Sequence, residues 1–152
     1  MKSFSIIYPF YNNIMIFELE TAIKTKLETI TRFQAVYDHF TLTTTWYPFA
    51  SFELSNFDGE FLDVCSNRRE FTFNIVVIQE TNENLTRDAA KDIVYKCLED
   101  IITNFDGDQD LWEWTIVKWN VSRWEMWTFL EKEWSVIALN VELTLEIVTT
   151  AW

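Results

Sequence analysis

The sequence predicts an α+β domain: a mixed, mainly antiparallel sheet packed against two helices and closed by a long C-terminal β-hairpin. Three observations predict it. Apolar residues recur at three- and four-residue steps in two separate stretches, the period of a helix with one buried side. Between and after those stretches the period changes to two, the signature of a half-covered strand. The 152 residues also hold only two Gly and two Pro, too few for flexible linkers, so a single domain over 1–152 is expected, with no boundary and no internal repeat. A chain of this length buries roughly 68–70% of its unfolded surface, enough for a core without staples.

Residues 1–16 read as an extended arm or first strand. Lys2 is followed by an uncharged run, Ser3–Phe17, which is too short to span a bilayer and lacks a small-residue cleavage pattern. From Phe17 to His39 a helix is expected, because Leu19, Ile23, Leu27, Ile30, Phe33 and Tyr37 form one stripe with Glu20, Lys24, Glu28 and Arg32 between them. The β-branched run Thr41–Thr45 breaks it. Strands follow over Trp46–Leu54 and Phe61–Ile78, with Asn56-Phe57-Asp58-Gly59 as the turn signal between them. In the second, Phe71, Phe73, Ile75 and Val77 share one face, and the half-polar set Thr72, Asn74, Val76 and Ile78 shares the other.

Thr86 is placed to cap a second helix, with Asp88 in its first turn, where the macrodipole favours an acid. Ala90, Ile93, Val94, Cys97, Leu98, Ile101, Ile102 and Phe105 form its stripe, and Gly107 stands where a helix stop belongs. The expected hairpin has arms Trp112–Trp127 and Trp134–Thr150, joined around Thr128–Glu133. Its second arm alternates cleanly: Ile137, Leu139, Val141, Leu143, Leu145 and Ile147 against Ala138, Asn140, Glu142, Thr144 and Glu146.

Charge and composition exclude several functions. Twelve Lys and Arg against 24 Asp and Glu give a net charge of −12, a poor match for phosphate backbones or anionic membranes, and the densest basic pair is Arg68–Arg69. His39 is the single histidine and reads as a cation near a helix C-terminus, not as a catalytic base. Cys65 and Cys97 are far apart, give no zinc set with it and demand no oxidising compartment, so a soluble intracellular protein is expected. The acidic run Asp106–Asp110 fails the EF-hand pattern, with Leu111 and Val117 at the sixth and twelfth positions from Asp106, and reads as a solvated loop. Glu113, Glu125, Glu133, Glu142 and Glu146 lie near the tryptophans, yet mostly at polar strand positions where solvation explains them. No catalytic motif stands out, and no enzyme and no cofactor are expected.

The tryptophans are the feature to explain. Six of the eight fall between Trp112 and Trp134, and along the first arm they occupy both parities: Trp112, Trp114, Ile116, Trp124 and Met126 on one, Val117, Trp119, Val121 and Trp127 on the other. Two apolar faces on one strand exceed what one small core can cover, so the surplus face is expected at a protein–protein contact, where Trp is favoured. The candidate interface is Trp112, Trp114, Trp119, Trp124, Trp127 and Phe129, with Val76 and Ile78 as a second patch. A sugar-stacking module is the competing class for the same residues.

The order of elements resembles the tail terminator, or tail completion, proteins of long-tailed bacteriophages. The likeness rests on the helix Phe17–His39, the strand Trp46-Tyr47-Pro48-Phe49, the run Arg68-Arg69-Glu70-Phe71-Thr72-Phe73-Asn74-Ile75-Val76-Val77-Ile78-Gln79-Glu80, the helix Thr86–Phe105, and the closing Val141-Glu142-Leu143-Thr144-Leu145-Glu146-Ile147. The resemblance implies a structural virion protein at the head–tail junction, assembled in the host cytoplasm. It implies a ring, a hexamer in that family, that caps the tail tube protein, ends tube polymerisation and meets a neck or head-completion protein. DNA would pass through such a ring without specific binding, and no membrane is involved. Another neck or connector component is the alternative within the same class. The density of tryptophan lies outside the resemblance.

Overall fold

The computed structural model describes residues 16–41, 46–61, 66–106, 109–112, 115–131 and 134–150. Helix α1 covers 16–28, and Leu19, Ile23 and Leu27 on one side of it are fully buried. It stops well short of the expected His39. Thr29-Ile30-Thr31 is a β-branched run of low helix propensity, and Thr29 Oγ1 donates to Lys26 O at 2.6 Å. The chain then tightens into three-residue turns, Ile30 N to Leu27 O and Phe33 N to Ile30 O. Ile30 and Phe33 stay buried from those turns, which is why the apolar spacing outlasts the helix. Gln34 N donates to Pro48 O at 2.8 Å, and the chain enters strand β1, Ala35–Tyr37. His39 is therefore beyond a strand, exposed and 3.2 Å from Asp38 Oδ1, not at a helix end.

Strands β2 (Phe49–Phe61) and β3 (Ser66–Glu80) pair antiparallel. Asn56–Gly59 is not the turn: it lies inside β2, opposite Arg69–Thr72. The ladder slips by one residue between Leu54 and Asn56, a bulge at Ser55 whose hydroxyl donates to Thr72 O at 3.0 Å. Helix α2 (Arg87–Phe105) follows, with Thr86 Oγ1 accepting from Ala89 N at 3.2 Å as its cap. Ala90, Val94, Cys97, Leu98, Ile101 and Phe105 are its buried stripe, and the helix ends at Asp106; Gly107 is outside the described residues. The last third holds three strands: β4 (Gln109–Trp112), β5 (Thr115–Glu131) and β6 (Trp134–Thr150). Thr128–Glu131, expected in a joint, belong to β5, which pairs antiparallel with β6 from Thr115↔Thr149 to Glu131↔Trp134.

The six strands form one mixed sheet in the order β1-β2-β3-β6-β5-β4; β1 runs parallel to β2 and the other pairs are antiparallel. Both helices feed a single core with one face of that sheet: Phe52, Phe73, Ile75, Leu139, Val141 and Leu143 with Leu19, Ile23, Val94 and Ile101. Lys26 of α1 lies over the rings of Phe105 and Trp119, and Arg32 Nε donates to Asp100 Oδ2 at 2.8 Å, so the helices are tied side by side. The sheet's other face carries no helix among the described residues.

The strand order is a palindrome, and its registers show why. Leu54 opposes Phe73 and Asn56 opposes Thr72; Val121 opposes Leu143 and Arg123 opposes Glu142. The second bulge residue is Ser122, whose hydroxyl donates to Glu142 O at 3.1 Å, as Ser55 does to Thr72 O. A two-fold axis through the pair Phe73↔Leu143 therefore carries β2 and β3 onto β5 and β6; the short edge strands flank equivalent stretches of β2 and β5 but run in opposite senses, β1 parallel to its neighbour and β4 antiparallel. No repeat is visible in the sequence because the two halves share almost no residues. The recurrence of Asn-Phe-Asp-Gly at 56–59 and 104–107 has no part in it, since one copy is in a strand and the other begins at the end of α2.

Candidate functional site

Ser122 also resolves the parity conflict in β5. A bulge inserts one residue and so exchanges the parities on either side of it. Trp119 and Val121 face the helices before Ser122, and Met126 does so after it. Trp119 is thus a core residue, fully buried against Phe105, with ring centroids 5.6 Å apart, and not an interface residue as its parity suggested. Its two-fold equivalent, Phe52, is buried in the same way. Trp124 pairs with the core residue Val141 on the helix face but is itself half-exposed, like its equivalent Phe57. Trp112 sits in β4 opposite Thr115, and Trp114 lies outside the described residues.

The other four expected residues come together. Ala35, Phe49, Ile78, Ala138 and Trp127 are successive partners across five strands, one rung on the face away from the helices. Phe129 and Val136 form the neighbouring pair on one side, and Val76 lies on the other. Phe49, Ile78 and Ala138 are buried beneath Tyr37, Tyr47, Val76 and Val136, so the band has its own small core. Trp127 and Phe129 complete the band at the β5 side and stay 45% and 58% exposed. Phe49, Val136 and Ala138 were not singled out from sequence. Their signal was there: the polar parity of β3 turns apolar at its end, that of β6 is apolar at its start, and antiparallel pairing joins the two.

Beside the band the face turns polar. The next rung, Ser51–Val76–Asn140–Glu125, borders two adjoining depressions of about 290 and 230 Å³. They share Asn74 and Asn140, and Glu53, Glu125 and Glu142 stand around them. Ser51 is fully buried, and its Oγ, like Asn140 Oδ1, has no hydrogen-bond partner among the described residues. Arg123 pairs with Glu125, and Glu142 Oε1 accepts from Ser122 Oγ at 3.2 Å. Tyr47, at the band's edge, has its phenol pushed above the ordinary range, first by burial and then by the hydrogen bond and charge of Glu80.

Burial pushes the Cys97 thiol up to about 12, so it is neutral and inert at neutral pH, and it is unbridged; Cys65 lies outside the described residues. The hydrogen bond with His39 holds Asp38 below the usual carboxylate range, while burial, with the charge of Asp38 behind it, pushes Glu20 up. Asp106 Oδ1 accepts from Val121 N at 3.0 Å, tying the end of α2 to β5. Among the described residues no three His, Cys, Asp or Glu side chains are grouped to hold a metal ion, and no helix is long and apolar enough to cross a membrane. Compared with models of known protein families and with curated protein sequences, the chain matches none.

Proposed function

We propose that this chain is a non-catalytic assembly protein that associates with copies of itself into a ring, and that the ring caps a phage tail tube and joins it to the head or neck. One observation carries the association. The two-fold axis offers an internal comparison for the apolar band: Ala138 is equivalent to Arg68, Val76 to Glu146 and Asn140 to Glu70. At that end the face is closed by ion pairs, Arg68 to Glu146 at 3.4 Å and to Glu70 at 3.5 Å. The positions of Val76, Ala138 and Trp127 thus hold Glu146, Arg68 and Glu60 at the other end, whereas those of Phe49 and Ile78 hold Ile116 and Val148, so the fold does not require apolar residues at the first three. An exposed Trp and Phe beside buried apolar neighbours is the composition of an interface centre.

A ring needs two different patches on each subunit. The band supplies one. The outer edge of β5 supplies another: β4 covers it only as far as Lys118, and among the described residues no strand pairs with it from Trp119 to Glu131. The resemblance of the element order to tail terminators supports the tail-capping reading. A sugar-stacking platform is less favoured, because Trp124 and Trp127 lie on opposite faces of β5.

Native mass spectrometry across a concentration series, with negative-stain images of the same samples, tests the reading. A species of six chains that images as a closed ring is expected. Chains that remain single at every concentration, with or without tail tubes added, overturn it.

A further inference from the structure

Two exposed aromatics lie outside the apolar band. Phe57 on β2 and Trp124 on β5 are both about half-exposed on the helix side of the sheet, each on a strand whose outer edge is only partly covered. Strand β1 covers β2 from Phe49 to Ser51 and β4 covers β5 from Thr115 to Lys118; among the described residues no strand pairs with the rest of either edge. On the open face, β2 carries Glu53 and Asp58 and borders the hollow of about 290 Å³ walled by Phe40, Leu54 and Val76. On the same face β5 carries the exposed Arg123 and Trp127.

We propose that β5 of one copy lies antiparallel along the outer edge of β2 of the next, with Trp127 seated in that copy's hollow, Trp124 against its Phe57 and Arg123 against its Asp58. The registers decide the alignment. Strand sense alternates from β2 through β3 and β6 to β5, so a further β2 beside β5 continues the alternation. Setting Trp124 opposite Phe57 on the helix side puts Arg123 opposite Asp58 on the open side, and the bulge at Ser55 then brings Trp127 opposite Glu53. Sliding the strands keeps their faces matched only in steps of two residues. One such step sets Glu125 against Asp58; the opposite step carries Trp127 to Ser51, where β1 is already paired. The aligned stretch of β5, Trp119–Thr128, begins where β4 ends and stops where the next copy's β1 begins, and Phe129 beyond it turns onto the open side.

The chemistry of the two edges matches as well. An indole is a flat apolar body with one N–H donor; the hollow offers Phe40 and Val76 to the ring and the Glu53 carboxylate to the donor. Arg123 brings positive charge to an acidic edge in a chain of net charge −12. Phe57 already packs on Phe71, ring centroids 5.0 Å apart, and Trp124 of the next copy extends that stack. A chain cannot fill its own hollow with Trp127, because β2 and β5 are three strand spacings apart, about 14 Å. The two surfaces stand at opposite edges of one sheet, so the contact is heterologous and copies add in one sense. It rests on the self-association read above and gives the open edge of β5 its counterpart.

Two variants of the full chain, each lacking one side of the contact, test it. Arg123→Glu with Trp127→Ala removes the β5 side; Glu53→Lys with Asp58→Lys removes the β2 side. Each alone is expected to associate about a hundredfold more weakly than the parent chain, with the parent's circular dichroism. Mixed, they are expected to form pairs of one each and nothing larger, since each keeps one intact side. A mixture that stays single, or either variant assembling as the parent does, overturns the contact. A covalent readout stands beside these. In a Cys65→Ser background, chains with Trp124→Cys and chains with Phe57→Cys are expected to give a disulfide-linked dimer on mild oxidation only when mixed. A dimer from either kind alone overturns the contact, as does no dimer from the mixture. If the parent forms six-chain rings while the mixed variants stay single, the ring reading survives without this contact; if the mixed pair forms and the parent makes only open chains, the contact stands and the ring reading fails.

Discussion

The two ends of the uncovered sheet face are built on equivalent positions: Phe49 and Ile78 keep apolar counterparts in Ile116 and Val148, while Val76, Ala138 and Trp127 give way to Glu146, Arg68 and Glu60. Around Ile78 and Ala138 the face is apolar and ends in exposed Trp127 and Phe129; around Arg68 and Glu146 it is ionic. Beneath both lies the same core, in which Phe52 and Trp119 fill equivalent places under the helices. The difference teaches that size and apolarity are demanded on the covered face and optional on the open one. Where an option is exercised at one end only, it reports a use and not a folding need.

Mutation separates the two kinds of tryptophan most sharply. Trp119→Ala removes a fully buried ring packed on Phe105 and is expected to cost about 3–5 kcal/mol, as is Phe52→Ala, its equivalent. Trp127→Ser with Phe129→Ser is expected to change the denaturation midpoint little and to weaken self-association at least a hundredfold, since residues of this kind at an interface centre contribute about 2 kcal/mol or more. Equilibrium unfolding and sedimentation measured on the same samples decide it. A large stability loss in the double variant would make the band part of the core and end the comparison.

Exchanging the ends is a subtler test. Val76→Glu copies Glu146 onto the apolar end, and Glu146→Val does the reverse. The half-exposed ion pairs at the charged end are worth about 0–1 kcal/mol, so both variants are expected to fold with midpoints near that of the parent chain. Val76→Glu is expected to weaken association, because a carboxylate buried at an interface without a partner is costly. If it unfolds the chain instead, the two ends are not equivalent in the way the registers indicate.

How much of this the sequence discloses follows the same division. Wherever one face of an element is buried, periodicity largely names it: the alternation of β3 and β6 matches their buried residues, the α2 stripe does so except for half-buried Ile93 and exposed Ile102, and the α1 stripe holds through Phe33 but not at Tyr37, which is in β1. Periodicity fails at single-residue events. A bulge at Ser55 lets Asn56–Gly59 continue a strand that an Asp-Gly step seems to end, and one at Ser122 turns an apparent double face into one core face and one open face. Serine carries no strong bulge signal; only the ladder shows it donating to the neighbouring strand. Likewise Val76, Ile78, Trp127 and Phe129 could be picked out by residue type, but only the register of three strands shows them adjacent to Phe49 and Ala138. The two-fold relation is hidden for the same reason, since Trp119 and Phe52 or Ala138 and Arg68 share a place without sharing chemistry.

The smallest expected effect reads the band directly. Tyr47 is held above its ordinary range chiefly by burial, with Glu80 adding a hydrogen bond and a charge that oppose ionisation. A phenol raised in the folded state keeps its proton longer there than in the unfolded chain. Its contribution to stability is therefore fully present below about pH 10, and it is lost as pH rises through the folded value. Titration followed by phenolate absorbance should show Tyr47, identified by the signal lost in Tyr47→Phe, ionising above the ordinary range, and Glu80→Gln should bring it only part of the way back, because burial is the larger cause. Trp127→Ser together with Phe129→Ser should leave Tyr47 where it is in separate chains, since those residues lie across the sheet on β5 and Tyr47 precedes β2. In the assembled state a covered band should raise Tyr47 further, and this second rise should vanish in the double variant. A titration indifferent to assembly would mean that whatever contacts Trp127 does not extend across the rung to Phe49.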